Sequence, residues 1–341
     1  MHLNDFHFEL PQKLIARHPL PNRSESRLMC LNRLTGEINH RRFDQIIALF
    51  KKGDLLIFND TKVIPARLHG YKVTGGKAEV FVERILDDQC MLAQIRVSKP
   101  PRIGDRLIFS DDTYLDITNK FHQFYELCYR QTDKTILEIV EEMGQIPLPH
   151  YMQRAPEKSD NERYQTIYAK HKGAVAAPTA GFHFDEELLQ ALRHKQVEFG
   201  FLTLHIGSGT FTPVRVENIQ EHKMHAERFE VSLDLCNQVA RAKSEGRRVI
   251  AVGTTSLRAL ETATQNGNIE PYQGDTSIFI YPGYQFRCVE ALITNLHLPS
   301  STLLMLVCAF GGYENVMRAY RLATEKSYRF YSYGDAMMIF P

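Results

Sequence analysis

Several common protein classes are excluded by what this chain lacks. No basic stretch followed by an apolar one opens it: MHLNDFHFELPQKL mixes histidines, acids and amides, so no secretory signal is expected. The longest wholly apolar run, Leu303 to Phe310, is far too short to span a bilayer. A soluble cytoplasmic protein without a membrane partner is therefore expected. The six cysteines, Cys30, Cys90, Cys128, Cys236, Cys288 and Cys308, form no CxxC pair. That spacing disfavours structural zinc and cysteine-held iron–sulfur clusters. With no export signal, a disulfide framework is not expected either. Charge of one sign is also missing: 41 Lys and Arg against 40 Asp and Glu leave a net +1. A dedicated duplex binder is usually more basic, so any RNA contact must be local or driven by a reactive pocket. There is no internal repeat and no low-complexity tract.

What is present is an ordinary folded composition, with 43% hydrophobic and 24% charged residues over 341 positions. That length suits two domains. The N-terminal part reads as strand RLMCLN, turn RLTG, strand EINH, a short helix around FDQIIALF and a buried strand LLIFND. From Arg67 the texture changes to alternating, β-branched or aromatic runs split by GG, DD and PP turns, the pattern of a small antiparallel barrel. The helix TILEIVEEM closes that block, and PLPHYMQRAPEKSDNERYQ reads as the return linker. After Tyr168 strands alternate with helices, which argues for an α/β core. The expected fold is thus α/β, with residues 1–66 and 151–341 forming the larger domain and 67–150 an inserted small antiparallel β-barrel.

Four strand-to-loop junctions share a design: Asn59-Asp60-Thr61, Pro178-Thr179-Ala-Gly-Phe-His183-Phe184, Gly253-Thr254-Thr255-Ser256-Leu-Arg258, and Thr294-Asn295-Leu-His297-Leu-Pro-Ser-Ser-Thr302. In the last three a helix begins just beyond small hydroxyl or carboxylate residues. Such residues cap helix N-termini, whose free N–H groups attract anions, and in open α/β sheets ligands gather at strand carboxyl ends. Plain capping explains any one junction; the added His, Asn and Arg residues tilt the set towards a site. Gly207-Ser208-Gly209-Thr210 also follows a strand. A third glycine is missing and Pro213 stands where a helix would start, so a dinucleotide or methyltransferase fingerprint is not met. A tight turn admitting a flat ligand or a phosphate, or a merely structural turn, remains.

Histidines are the other signal. His183, His205, His222, His225 and His297 all lie in or beside these junctions. A lone histidine is usually a packed or surface residue, whereas a group at strand ends can move protons near neutral pH. His222 and His225 are spaced i, i+3, yet no HExxH, HxH or two-His-one-carboxylate spacing accompanies them, so no metal is expected. Glu227 can orient His225 or act as a base. In the aromatic tail, Phe330 reads as core, while Ser332, Tyr333 and Asp335 form a polar cluster.

Together these blocks resemble a known family. LLIFNDTKVIPARL, RYQTIYA, GAVAAPTAGFHF, LTLHIGSGTF, HKMHAE, VIAVGTTSLRALE, TNLHLPSSTLLMLV and YRFYSYGDAM are similar, in order, to the signature blocks of the queuosine ribosyltransferase-isomerases. Departures are small: Phe182, Leu296, Ser208 and Ser300 are variants, and Ala226 replaces a serine, so any role for that hydroxyl is absent. The resemblance implies an α/β domain with an inserted barrel and a site facing the cleft between them. It implies transfer and isomerisation of the ribosyl unit of S-adenosylmethionine onto 7-aminomethyl-7-deazaguanine at the tRNA wobble position, giving epoxyqueuosine-tRNA, adenine and methionine. S-adenosylmethionine is then a consumed co-substrate, no cofactor is required, and the partner is a tRNA anticodon stem-loop. No protein partner is evident and a monomer is expected.

That chemistry needs a base for a carbon-bound proton made acidic by the sulfonium, a donor to the departing purine, and an acceptor that keeps the attacking amine neutral. His183, His225, His297, Glu227 and Asp335 are the candidates for proton transfer. Asn59, Asp60, Thr61, Arg67, Thr179, His205, Gly207, Gly209, Thr210, Thr254, Thr255, Ser256, Arg258, Asn295, Ser332 and Tyr333 are the candidates for substrate binding. Arg67 can pair with the donor carboxylate or an RNA phosphate through its planar fork, unless a structural ion pair occupies it. His183, His205, Thr254, Asn295 and Asp335 are expected to converge on one pocket. A methyltransferase would need the glycine-rich turn that is missing, and a non-catalytic RNA-binding module leaves the strand-end histidines unexplained.

Overall fold

The computed structural model describes residues 1–110, 113–131, 133–211 and 214–341. The architecture is the expected mixed α/β one with a closed six-stranded antiparallel barrel. The larger body is built on a nine-stranded sheet in the order Tyr272–Thr276, Glu227–Val231, Glu198–Leu204, Leu55–Asn59, Val249–Val252, Ala291–Asn295, Ala336–Phe340, Arg27–Asn32, Ile38–Arg42. Glu198–Leu204 through Ala291–Asn295 run parallel. Parallel strands covered on both faces must be apolar along their whole length. Leu55–Asn59, Val249–Val252 and Ala291–Asn295 are accordingly buried at every position.

The two ends of the chain meet in this sheet. Arg27–Asn32 pairs in parallel with Ala336–Phe340, Leu28 opposite Ala336. Helices Leu233–Ser244, Thr254–Ala263, Thr302–Gly311 and Tyr313–Glu325 bury apolar stripes against it. Thr302–Gly311 contains the apolar run noted above and is almost wholly buried. No helix among the described residues is long and apolar enough to cross a membrane.

The barrel closes in the order Phe124–Cys128, Cys90–Arg96, Lys77–Ile85, Arg67–Lys72, Arg106–Ile108, Tyr114–Phe121. Burial alternates along its strands, as a filled small barrel requires. Its core is Leu68, Val80, Val82, Leu107, Leu115 and their neighbours, sealed by helix Ile136–Met143. The chain crosses to the barrel through Thr61–Val63 and returns through His171–Ala174, and these two short strands pair in parallel. The strand expected at GAVAAP is therefore only partly in place: Ala174 ends the short strand, and the rest is loop.

One expectation is corrected. Cys90 and Cys128 are joined in a disulfide. The two residues lie 38 apart in sequence but directly opposite each other on antiparallel strands, with Cα atoms 4.2 Å apart. Spacing in the sequence carries no trace of that register.

Candidate functional site

The parallel strands all end at one edge of the sheet, so the residues just beyond them come together: Asp60, His205, Gly253 with Thr254, and Asn295 to His297. Ala336–Phe340 runs antiparallel to Ala291–Asn295, with Ala336 opposite Asn295. Asp335 and, through the neighbouring strand, Ser26 and Arg27 therefore reach the same edge. From Leu55–Asn59 the chain goes first to Glu198–Leu204 on one side and then to Val249–Val252 on the other. That change of direction opens a crevice at the strand ends.

A cleft of about 280 Å³ occupies the crevice. Of the expected residues, Thr179, Thr254, Thr255, Asn295, His297 and Ser332 line it. Tyr164, Thr294, Ser301 and Tyr331, which sequence reasoning did not single out, line it too. Two helices start here. Gly253 precedes Thr254–Ala263 with φ +92° and ψ 151°, a backbone conformation for which glycine is suited, and it offers no capping side chain. Ser301 caps Thr302–Gly311 by accepting the Leu304 N–H at 3.2 Å. Two positive helix ends thus meet a cavity whose walls are largely apolar, which favours a ligand carrying a negative group.

The polar groups of the cleft are held by the fold. Asn295 donates through Nδ2 to the carbonyls of Tyr331 and Ser332, at 3.0 and 3.3 Å, and accepts from Thr179 Oγ1 at 3.4 Å. The His297 Nε2 and Thr294 Oγ1 atoms share a hydrogen bond of 2.8 Å. Burial lowers the His297 pKa to about 3, so the imidazole is neutral at pH 7. Tyr151 donates to Ser332 Oγ at 2.5 Å, and its ring packs on Tyr331. Tyr331 has φ +78°, a strained conformation for an aromatic residue. The Tyr164 hydroxyl is buried without a partner.

Next to the cleft, sharing Ser332 with it, lies a smaller hollow lined by Arg23, Ser26, Arg163, His183 and Tyr333. His183 bonds Ser26 Oγ through Nδ1 at 2.6 Å, and its Nε2 is buried without a partner. Burial lowers its pKa to about 3; Asn295 opposes that shift, and the positive Arg23 and Arg329 add to it. The Asp335 carboxylate is committed to the backbone, accepting the N–H of Arg27 at 2.9 Å and of Arg329 at 2.7 Å. Burial raises its pKa, against the pull of those two N–H groups. Tyr333 donates to Asp160, itself held by both Nη atoms of Arg154 at 2.6 and 2.7 Å.

A third group sits at the seam with the barrel. Asn59 holds two strand ends together, donating to Leu204 O and accepting from Leu204 N, both at 3.0 Å. Asp60 accepts from Thr203 Oγ1 at 2.6 Å, and Thr61 Oγ1 bonds His205 Nδ1 at 2.8 Å. Burial lowers the His205 pKa to about 4, with the neighbouring His171, Arg228 and Arg84 charges adding. The Gly207–Ser208–Gly209 turn leans on the barrel: Ser208 N donates to Glu83 at 3.0 Å and Gln94 donates to Ser208 Oγ at 2.9 Å. A Cβ on Gly209 would fall 2.4 Å from the His225 ring, so the glycine permits that contact. The Thr210 side chain and Pro213 lie outside the described residues.

Four expected residues have local partners. Glu227 and Arg258 form a buried ion pair. Ser256 donates to Val252 O, at the end of the preceding strand, at 2.8 Å. Arg67 lies 3.5 Å from Glu79 on the barrel wall and donates to Leu148 O. The five residues expected to converge are thus divided: Thr254 and Asn295 in the cleft, His183 and Asp335 behind it, His205 at the seam. Ser26 and Arg23 were missed because only the pairing of the chain ends brings the first 30 residues to this edge, and Arg163 because it falls in the stretch read as a return linker. Tyr331 had a signal in the aromatic tail, where the neighbouring hydroxyls drew attention instead.

The profile of the queuosine biosynthesis protein family matches residues 3–339. The S-adenosylmethionine:tRNA ribosyltransferase-isomerase of one Coxiella burnetii strain is 53% identical over 336 residues, 98% of each chain. That of another strain is 52% identical over the same length. Among solved structures, the S-adenosylmethionine tRNA ribosyltransferase of Thermotoga maritima is 34% identical with a TM-score of 0.57, covering 98% of this chain and 99% of that one.

Proposed function

The chain belongs to the queuosine biosynthesis protein family, and from that premise we propose that it is an S-adenosylmethionine:tRNA ribosyltransferase-isomerase acting in the cytoplasm. Its finer reaction is the transfer and isomerisation of the donor's ribosyl unit onto the aminomethyl nitrogen of 7-aminomethyl-7-deazaguanine in the tRNA wobble position. Epoxyqueuosine-tRNA, adenine and methionine are the products, and the donor is consumed rather than recycled.

The observation that carries this reading is the cleft itself, where two helix N-termini, a neutral buried histidine and a fixed amide face one apolar chamber. The donor carboxylate suits the helix ends, which stabilise a negative group without a cationic side chain. Adenine suits the apolar wall beside Tyr164 and Tyr331. A neutral His297 can accept the C5′ proton that the sulfonium acidifies; it then holds that proton for a departing purine nitrogen. Asn295 is fixed through three contacts and so positions a polar group of the ribose with little loss of entropy. Each proton transfer of this kind contributes about a hundred- to ten-thousand-fold in rate.

The test is release of free adenine from S-adenosylmethionine. Release that requires tRNA carrying 7-aminomethyl-7-deazaguanine supports the reading. Transfer of a methyl group, or donor turnover indifferent to the tRNA modification, would refute it.

A further inference from the structure

One loop, residues 17–21, is gripped by arginines through its carbonyl oxygens. Arg154 donates to Arg17 O at 2.9 Å, and Arg163 donates to Leu20 O at 2.7 Å and Pro21 O at 2.9 Å. Arg329 donates to His18 O. Arg23, just beyond the loop, donates to Glu162 O at 3.1 Å and Phe182 O at 3.4 Å. Only Arg154 has a carboxylate partner, Asp160. Among the described residues Arg23, Arg163 and Arg329 form no ion pair, and Arg163 Nε and Arg329 Nη1 are buried without any acceptor.

Three guanidinium groups are therefore gathered around one small hollow, with only the Glu162 charge near Arg23 and the Asp335 charge near Arg329 to offset theirs. Arg23 and Arg163 line it, and Arg23 and Arg329 both act on the His183 imidazole at its base. Backbone carbonyls accept hydrogen bonds but carry no net charge, so the cluster remains positive. Burying uncompensated charge is costly, and mutual repulsion adds to that cost. The cost is recovered when an external anion docks in the hollow that Arg23 and Arg163 line. Charge-assisted bonds to phosphate are about twice as strong as neutral ones, and the arginine fork matches phosphate geometry. The hollow shares Ser332 with the cleft and opens to solvent, so the anion sits beside the reacting base without entering the chamber.

We propose that Arg23, Arg163 and Arg329 form a subsite for an RNA backbone phosphate flanking the nucleotide whose base occupies the cleft. It rests on the proposed function and adds the part of the tRNA that this face grips. A phosphate outside the chamber also explains how a chain of net charge +1 engages a polyanion: the cation density is concentrated at one point.

The test is binding of the modified tRNA to the full-length protein and to Arg23→Gln, Arg163→Gln and Arg23→Lys over a range of salt concentrations. Each Gln variant is expected to weaken tRNA binding and to lower the slope of log K against log salt by about 0.7–0.9, the loss of one phosphate contact. Arg23→Lys, which keeps the charge, is expected to retain most of the slope. The KM for S-adenosylmethionine is expected to stay unchanged, with thermal melting confirming a folded protein. A raised donor KM with normal tRNA binding would assign the cluster to the donor carboxylate and overturn the proposal. Unaltered tRNA binding in folded Gln variants would reduce the arginines to fasteners of the loop. Wild-type protein that binds no tRNA at all would remove the parent reading, and this one with it.

Discussion

His297 is the histidine that faces the cleft, whereas His183 lies behind it and His225 packs beneath Gly209. His297→Ala is expected to lower adenine release by about a hundredfold or more at saturating donor and tRNA, as loss of a general base does. Near-normal turnover in a folded variant would pass the role to Glu227 or His225. Acid sensitivity is a second consequence. His183 and His297 have folded pKa values of about 3, well below their ordinary 6.5. Between those values the unfolded chain binds protons that the folded one does not, so stability rises with pH in that window. Their contribution is fully present above about pH 6.5 and is lost as pH falls towards 3. Wild-type protein should melt at lower temperature at pH 5 than at pH 7.5. His297→Asn should show a shallower decline; an equal decline would mean that other groups control it.

At the scale of elements, the cleft depends on helices that begin where they do. Ser301 supplies the cap of Thr302–Gly311 in the cleft wall. Ser301→Ala should cost about 1 kcal/mol of stability, and Ser301→Gly less. If the free N–H groups of that turn hold the donor carboxylate, fraying should also raise the donor KM while kcat changes little. Kinetics at fixed tRNA separate the two effects, and a kcat loss with an unchanged KM would place the donor elsewhere. The seam is another such dependence, since the Gly207–Ser208–Gly209 turn meets the barrel only through Glu83 and Gln94 among the hydrogen bonds described.

For the whole molecule, the disulfide tests how far the barrel is an independent unit. Closing a 38-residue loop stabilises the folded state by at most about 4 kcal/mol on the chain-entropy account. Reduction, or Cys90→Ser, should lower the melting temperature of the barrel but leave adenine release from the folded enzyme close to normal, because the bond is in the barrel wall and not in the cleft. In the cytoplasm proposed above most thiols are kept reduced, so activity is expected without the bond. Loss of activity on reduction would instead couple the barrel wall to the site.

The sequence by itself determined most of the architecture. The short apolar run LLIF reads as a buried strand, alternation after Arg67 suits strands with one wet face, and the hydroxyl-rich junction after Asn295 precedes a helix that Ser301 caps. These are local signals of period and capping. It also marked junctions whose residues Thr179, Thr254, Asn295 and His297 line one cleft. Tertiary structure alone decided the rest. The chain ends pair, so Ser26 and Arg23 stand beside His183. Asp335 is absorbed by two backbone N–H groups, Arg67 finds Glu79, and Cys90 finds Cys128. A side chain's role depends on burial and on partners tens to hundreds of residues away, and neither is written in its own neighbourhood of the chain.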